Sequence, residues 1–87
     1  FLERSDNMLK LVKVTESGND RILYRYYPEY YDSFGIIEIH GDEVKIAEWA
    51  DYDKKLGVPY YANRARAAVL RMLETGNLED SKFFAWG

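Results

Sequence analysis

The sequence predicts an α+β domain: a four-stranded antiparallel meander packed against one C-terminal helix, with an aromatic C-terminal tail. Three observations predict it. Residues 8–50 hold short apolar/polar alternations separated by clusters of turn formers, the signature of strands joined by tight connections. Residues 60–75 instead repeat their apolar side chains at helical spacing. The chain has 87 residues, 47% of them apolar, which suits one small packed core and no second domain.

The first seven residues are polar apart from Phe1 and Leu2, and they are expected to be a flexible leader ahead of the domain, 8–87. Residues 8–15 read as the first strand, with Leu9 and Leu11 on one face and Lys10, Val12 and Val14 on the other. The turn formers at 16–20 include Gly18 and Asn19, both suited to positive φ. The second strand, 21–27, is rich in aromatic and β-branched residues and closes at Pro28, which has no N–H to give a ladder. Residues 29–35 form a loop carrying Tyr30, Tyr31 and Phe34. Ile37 and Ile39 share a face of the third strand, 35–40, and Gly41-Asp42 fit the centre of a tight turn into the fourth, 43–50.

Residues 51–58 mix charges of both signs and read as a loop with at most one frayed helical turn. Pro59 then suits the first turn of a helix. On that helix, 60–75, Tyr61, Ala65, Ala68, Val69, Met72 and Leu73 make one stripe, and Gly76-Asn77 supply a left-handed stop. In the tail, Phe83, Phe84 and Trp86 are too apolar for a loose terminus, so it should seal the helix–sheet seam or add an edge strand. Leu70 points away from the helical stripe and is expected to meet those tail aromatics; failing that, Leu70 and Ala67 would form a docking site.

Composition excludes whole classes of chemistry. No cysteine means no disulfide framework and no thiolate nucleophile or zinc ligand, and a single histidine precludes a multi-histidine metal site in one copy. A net charge of −3 gives no bulk attraction for nucleic acid. No apolar run approaches the length of a membrane helix, and no signal peptide is evident, so a soluble, cytoplasmic protein is expected.

The chemical constellations are weak. His40 is the one conventional general base, with Asp42, Glu43 and Ser33 nearby in sequence, yet order and spacing match no nucleophile elbow. It reads as an exposed turn residue. Asp51-Tyr52-Asp53 has the opening spacing of a calcium loop but lacks its glycine and distal glutamate, and Lys54 and Lys55 compete as counterions. Those acids, with Glu48, read as a solvated turn. Val58-Pro59-Tyr60 provides no glycine-rich phosphate cradle. No catalytic residue, cofactor or metal ligand is expected, and the chain is not expected to be an enzyme.

Two features remain. Tyr24, Tyr26, Tyr27, Tyr30 and Tyr31 crowd into eight positions around Arg25, and because strand neighbours face opposite ways, they cannot all be core. Exposed tyrosine beside arginine is the composition of protein-interface hot spots. It is also that of a base-stacking strand, here Tyr24, Tyr26 and Arg25. The second feature is the helix, whose 59–75 segment carries three arginines against one glutamate, with Arg64 and Arg71 seven apart on one edge.

The run Tyr61-Ala62-Asn63-Arg64-Ala65, then Gly76-Asn77-Leu78-Glu79-Asp80 and the final Ala85-Trp86-Gly87, resembles short uncharacterised bacterial or mobile-element proteins. These share a strand-rich front half, a C-terminal helix and an Ala-Trp tail. The resemblance implies a compact stand-alone module and brings no catalytic or binding residue with it. The expected function is a small non-enzymatic protein-interaction module: an accessory, inhibitor or homodimerising protein. Tyr27, Tyr30, Tyr31, Arg64 and Arg71 are its candidate contacts, with an unknown protein or a second copy as partner. Single-stranded nucleic-acid binding is the alternative.

Overall fold

The computed structural model describes residues 7–14, 21–29 and 33–86. Of the expected leader, 1–7, residues 1–6 lie outside the described residues and Asn7 instead opens the first strand; the turn at 16–20, and Tyr30 and Tyr31, also lie outside the described residues. Five strands, β1 (Asn7–Val14), β2 (Arg21–Pro28), β3 (Gly35–His40), β4 (Glu43–Glu48) and β5 (Ser81–Trp86), join two helices, α1 (Asp51–Leu56) and α2 (Tyr60–Thr75). All pairings are antiparallel, and the sheet order is β4-β3-β2-β1-β5. The first four strands are the expected meander. The tail is a true fifth strand on the far edge, and the 51–58 loop contains a second helix.

α1 exists because Gly57 takes φ 79° and closes its last turn with an N–H donated to the Asp53 carbonyl at 2.9 Å. Gly76 ends α2 the same way at φ 74°, and Asn77 N–H reaches the Met72 carbonyl at 2.9 Å. Between them the chain crosses from β4 over one face of the sheet, α2 packing on β4, β3, β2 and β1 in turn. It descends through residues 77–80 to β5. Lys13 fastens that descent: its N–H donates to the Asp80 carbonyl at 2.8 Å, and its Nζ donates to the Leu78 carbonyl at 3.2 Å and pairs with Asp80 at 3.2 Å.

The core lies under α2. Leu9 and Leu11 of β1, Tyr24 and Tyr26 of β2, Ile37 and Ile39 of β3 and Val44 of β4 meet Tyr61, Ala62, Ala65, Val69 and Met72 of α2. Each fully buried aliphatic side chain of this kind contributes roughly 1.5–3 kcal/mol. The second strand is apolar on both faces, and the structure shows which one is covered: Tyr24 and Tyr26 are 0% exposed. Leu23, Arg25 and Tyr27 lie on the opposite face, where Arg25 sits 4.6 Å over the Phe34 ring and Tyr27 packs against Phe34 at 5.4 Å.

Leu70 corrects one expectation. It is half-buried against the main core and forms no second cluster with the tail. One turn before it, Arg66 donates to the Val44 carbonyl of β4 at 2.8 Å, so this flank of α2 looks to the β4 edge, away from β5.

Candidate functional site

α2 and β5 leave a groove between them. Two clefts make it up, one of about 190 Å³ lined by Leu9, Arg64, Ala67, Ala68, Phe84 and Trp86. The other, of about 310 Å³, reaches from Ala68 and Phe84 to Arg71, Met72 and Lys82. Ala68 and Phe84 line both, so the clefts are two halves of one channel. The geometry follows from the sequence. Alternation in β5 turns Lys82, Phe84 and Trp86 toward the helix, and two alanines on the facing edge of α2 leave room that larger side chains would fill.

The basic edge of the helix frames this groove. Arg64 lies 4.2 Å over the Trp86 ring and 5.6 Å from the Tyr60 ring, and Trp86 Nε1 donates to the Tyr60 hydroxyl at 3.2 Å. The Trp86 donation first, and then the neighbouring Arg64 guanidinium, pull the Tyr60 hydroxyl below the usual phenol range. Tyr61 packs edge-on against Tyr60 at 4.9 Å, and its own hydroxyl meets the Glu29 carboxylate and Asn7 Oδ1. Burial, then Glu29, push the Tyr61 phenol up. Glu29 adopts φ 53°, left-handed for a non-glycine residue, and is held there by its N–H to the Met8 carbonyl at 2.8 Å.

At the other end, Lys82 is neutralised by Glu79 at 2.9 Å. Arg64 and Arg71 differ from it: among the described residues, no ion pair links either guanidinium to a carboxylate.

Of the five candidate contacts, the structure brings together two. Arg64 and Arg71 line successive clefts of the groove. Tyr27 is half-buried on the opposite face of the sheet, away from them. Tyr30 and Tyr31 fall outside the described residues. The base-stacking strand loses its rings, since Tyr24 and Tyr26 are core while Arg25 faces the other way.

Asp53 overturns another expectation. It is no solvated acid but fully buried, accepting from the Tyr61 and Ala62 N–H groups at 2.9 and 3.0 Å and from the Tyr26 hydroxyl at 2.8 Å. It caps α2 from a neighbouring helix, because Pro59 at the N-cap has no side chain to do so. His40 is exposed at the end of β3, opposite Glu43, and no group of three or more acidic or histidine side chains among the described residues is placed to hold a metal. No helix among the described residues is long and apolar enough to cross a membrane.

The sequence named Phe84 and Trp86 as a sealing tail, Ala68 as part of the helical stripe and Ala67 as an alternative docking residue beside Leu70, but it did not join them with Arg64 and Arg71 in one groove. The period-two placing of Phe84 and Trp86 was a usable signal, as was the position of both alanines beside Arg64 and Arg71 on a helical wheel. No known family model, curated protein or solved structure matches the chain.

Proposed function

We propose that this chain is a small non-enzymatic protein-interaction module that engages its partner through the α2–β5 edge. One observation carries the reading: Arg64 and Arg71 line an open, apolar-floored groove beside a sheet edge, with their charges unmatched by carboxylates among the described residues. Arginine at the margin of an aromatic pocket is a common anchor at protein interfaces. Trp86 and Phe84 supply the aromatic wall here, and β5 offers backbone groups on its outer side.

The test is affinity capture with the parent protein and with Arg64→Glu/Arg71→Glu, both in the presence of nuclease. A protein retained in stoichiometric amount by the parent and lost by the variant, at unchanged circular dichroism and melting temperature, supports the reading. Equal recovery on both rejects it.

A further inference from the structure

We infer that the α2–β5 groove receives an extended acidic segment of a partner protein, added to β5 as a sixth strand, with two carboxylates two residues apart entering the two clefts. This rests on the reading of the α2–β5 edge as the contact surface and supplies its occupant.

The two sheet edges are protected unequally. β4 carries Glu43, Lys45 and Glu48 in six residues, whereas β5 carries Lys82 alone and no proline. Charge on an edge strand discourages pairing with another chain, so β5 is the more receptive edge. Among the described residues no strand pairs with its outer side.

The clefts fit the repeat of an added strand. One lies between Phe84 and Trp86, the other between Lys82 and Phe84, so their centres are offset by two strand residues. Side chains on one face of an extended peptide recur at the same interval, roughly 6.7 Å. Two successive same-face side chains of a strand laid along β5 therefore reach the two clefts in register.

Their chemistry selects the side chain. Ala68 and Phe84 give both clefts an apolar wall, and each has one guanidinium at its rim, Arg64 or Arg71; the second cleft also holds Glu79, whose carboxylate is taken up by Lys82 at 2.9 Å and makes no ion pair with Arg71. Glutamate matches this: an aliphatic stem for the wall and a carboxylate for the guanidinium, whose fork accepts it bidentately. In strand addition the main chain supplies affinity and alternate pockets supply specificity. A second copy of this chain is a poorer occupant. Its β5, paired antiparallel about Phe84, would place another Lys82, already paired with its own Glu79, beside Arg64 and leave that guanidinium without a carboxylate of its own.

The probe is a capped eight-residue peptide of threonine and valine with glutamate at its fourth and sixth positions, fluorescein-labelled and read by anisotropy. Saturable binding is expected below about 1 mM. Replacing both glutamates by glutamine should weaken it about tenfold or more, as should Arg64→Gln/Arg71→Gln in the protein. Methylating alternate peptide nitrogens should abolish it in one of the two phases, the one whose N–H groups face β5. No saturable binding, equal binding of the glutamine peptide, or indifference to both methylation patterns overturns the inference. Should Arg64→Glu/Arg71→Glu lose a captured partner while the acidic peptide does not bind the parent, the surface stands and this occupant falls.

Discussion

The hydroxyl of Tyr26 donates to Asp53 Oδ2 at 2.8 Å and, in the same position, accepts the Ala50 N–H at 2.8 Å. A side chain from the centre of the sheet thus reaches both the start of α1 and, through the carboxylate, the first turn of α2. Asp53 passes the contact on by accepting from the Tyr61 and Ala62 N–H groups. Tyr26 is raised above the usual phenol range, by burial first; the Ala50 donation opposes this and Asp53 assists it.

Removing one member should leave the others unsatisfied in a site closed to water. Tyr26→Phe keeps the ring but orphans the Ala50 N–H, and it should cost about 1–3 kcal/mol. Asp53→Ala removes the cap of α2 as well as the acceptor for Tyr26, and a loss of about 2–4 kcal/mol follows from adding the two effects. Urea denaturation of both variants checks this. Losses below a few tenths of a kcal/mol would mean that water replaces these partners.

Gly35 pairs with Tyr26 across β2 and β3. A Cβ at position 35 would fall inside the van der Waals envelope of the Tyr26 ring, which is buried and pinned by the bonds just described. Gly35→Ala should therefore destabilise by about 1–3 kcal/mol through overpacking. The denaturant midpoint should fall with the slope unchanged. In a Tyr26→Leu background most of that penalty should vanish, and a double-mutant cycle reads the coupling directly. An unchanged penalty there would assign the effect to the backbone of β3 instead.

Much of the fold was legible because strands β1 to β4 follow one another through local signals. Leu9 and Leu11 alternate cleanly, Gly41-Asp42 mark their turn, and Pro59 and Gly76 bracket α2. Non-local facts were not legible. Asp53 is written like a surface acid, next to Lys54 and Lys55, and only the approach of α2 and Tyr26 makes it a buried cap. The choice between Tyr24/Tyr26 and Leu23/Tyr27 as the core face was undecidable from β2 alone, since both faces are apolar. Pairing of β5 with β1 spans most of the chain, and a six-residue aromatic run does not declare which edge it will join. For the groove, the sequence showed Arg64 and Arg71 on one edge of a helix; that β5 lies beside that edge is a property of topology.

Three buried phenols should make the fold sensitive to alkali. Tyr24 is pushed up to about 12, by burial first and then by Asp80 and Glu79, while Tyr26 and Tyr61 are raised further. Below the unfolded phenol value of 10.0 both states hold these protons, and the full stability is present. As pH rises past it, the unfolded chain releases phenol protons that the folded chain keeps. The unfolded state then binds fewer protons, so stability falls with rising pH until the folded phenols ionise in turn. Tyr60 has the opposite sign, since its folded-state proton leaves early, and it should give the first tyrosinate absorbance during a titration of the native protein. Urea midpoints measured from pH 8 to about pH 11.5 should stay level at first and then decline. Tyr24→Phe removes one of the three contributions, and its pH dependence should be shallower than that of the parent by up to one proton. Because the Tyr24 hydroxyl also donates to the Glu79 carbonyl, the variant should be less stable than the parent at neutral pH, with the two curves converging in alkali. Parallel curves across the whole range would show that Tyr24 ionises alike in both states and that its hydroxyl is open to solvent.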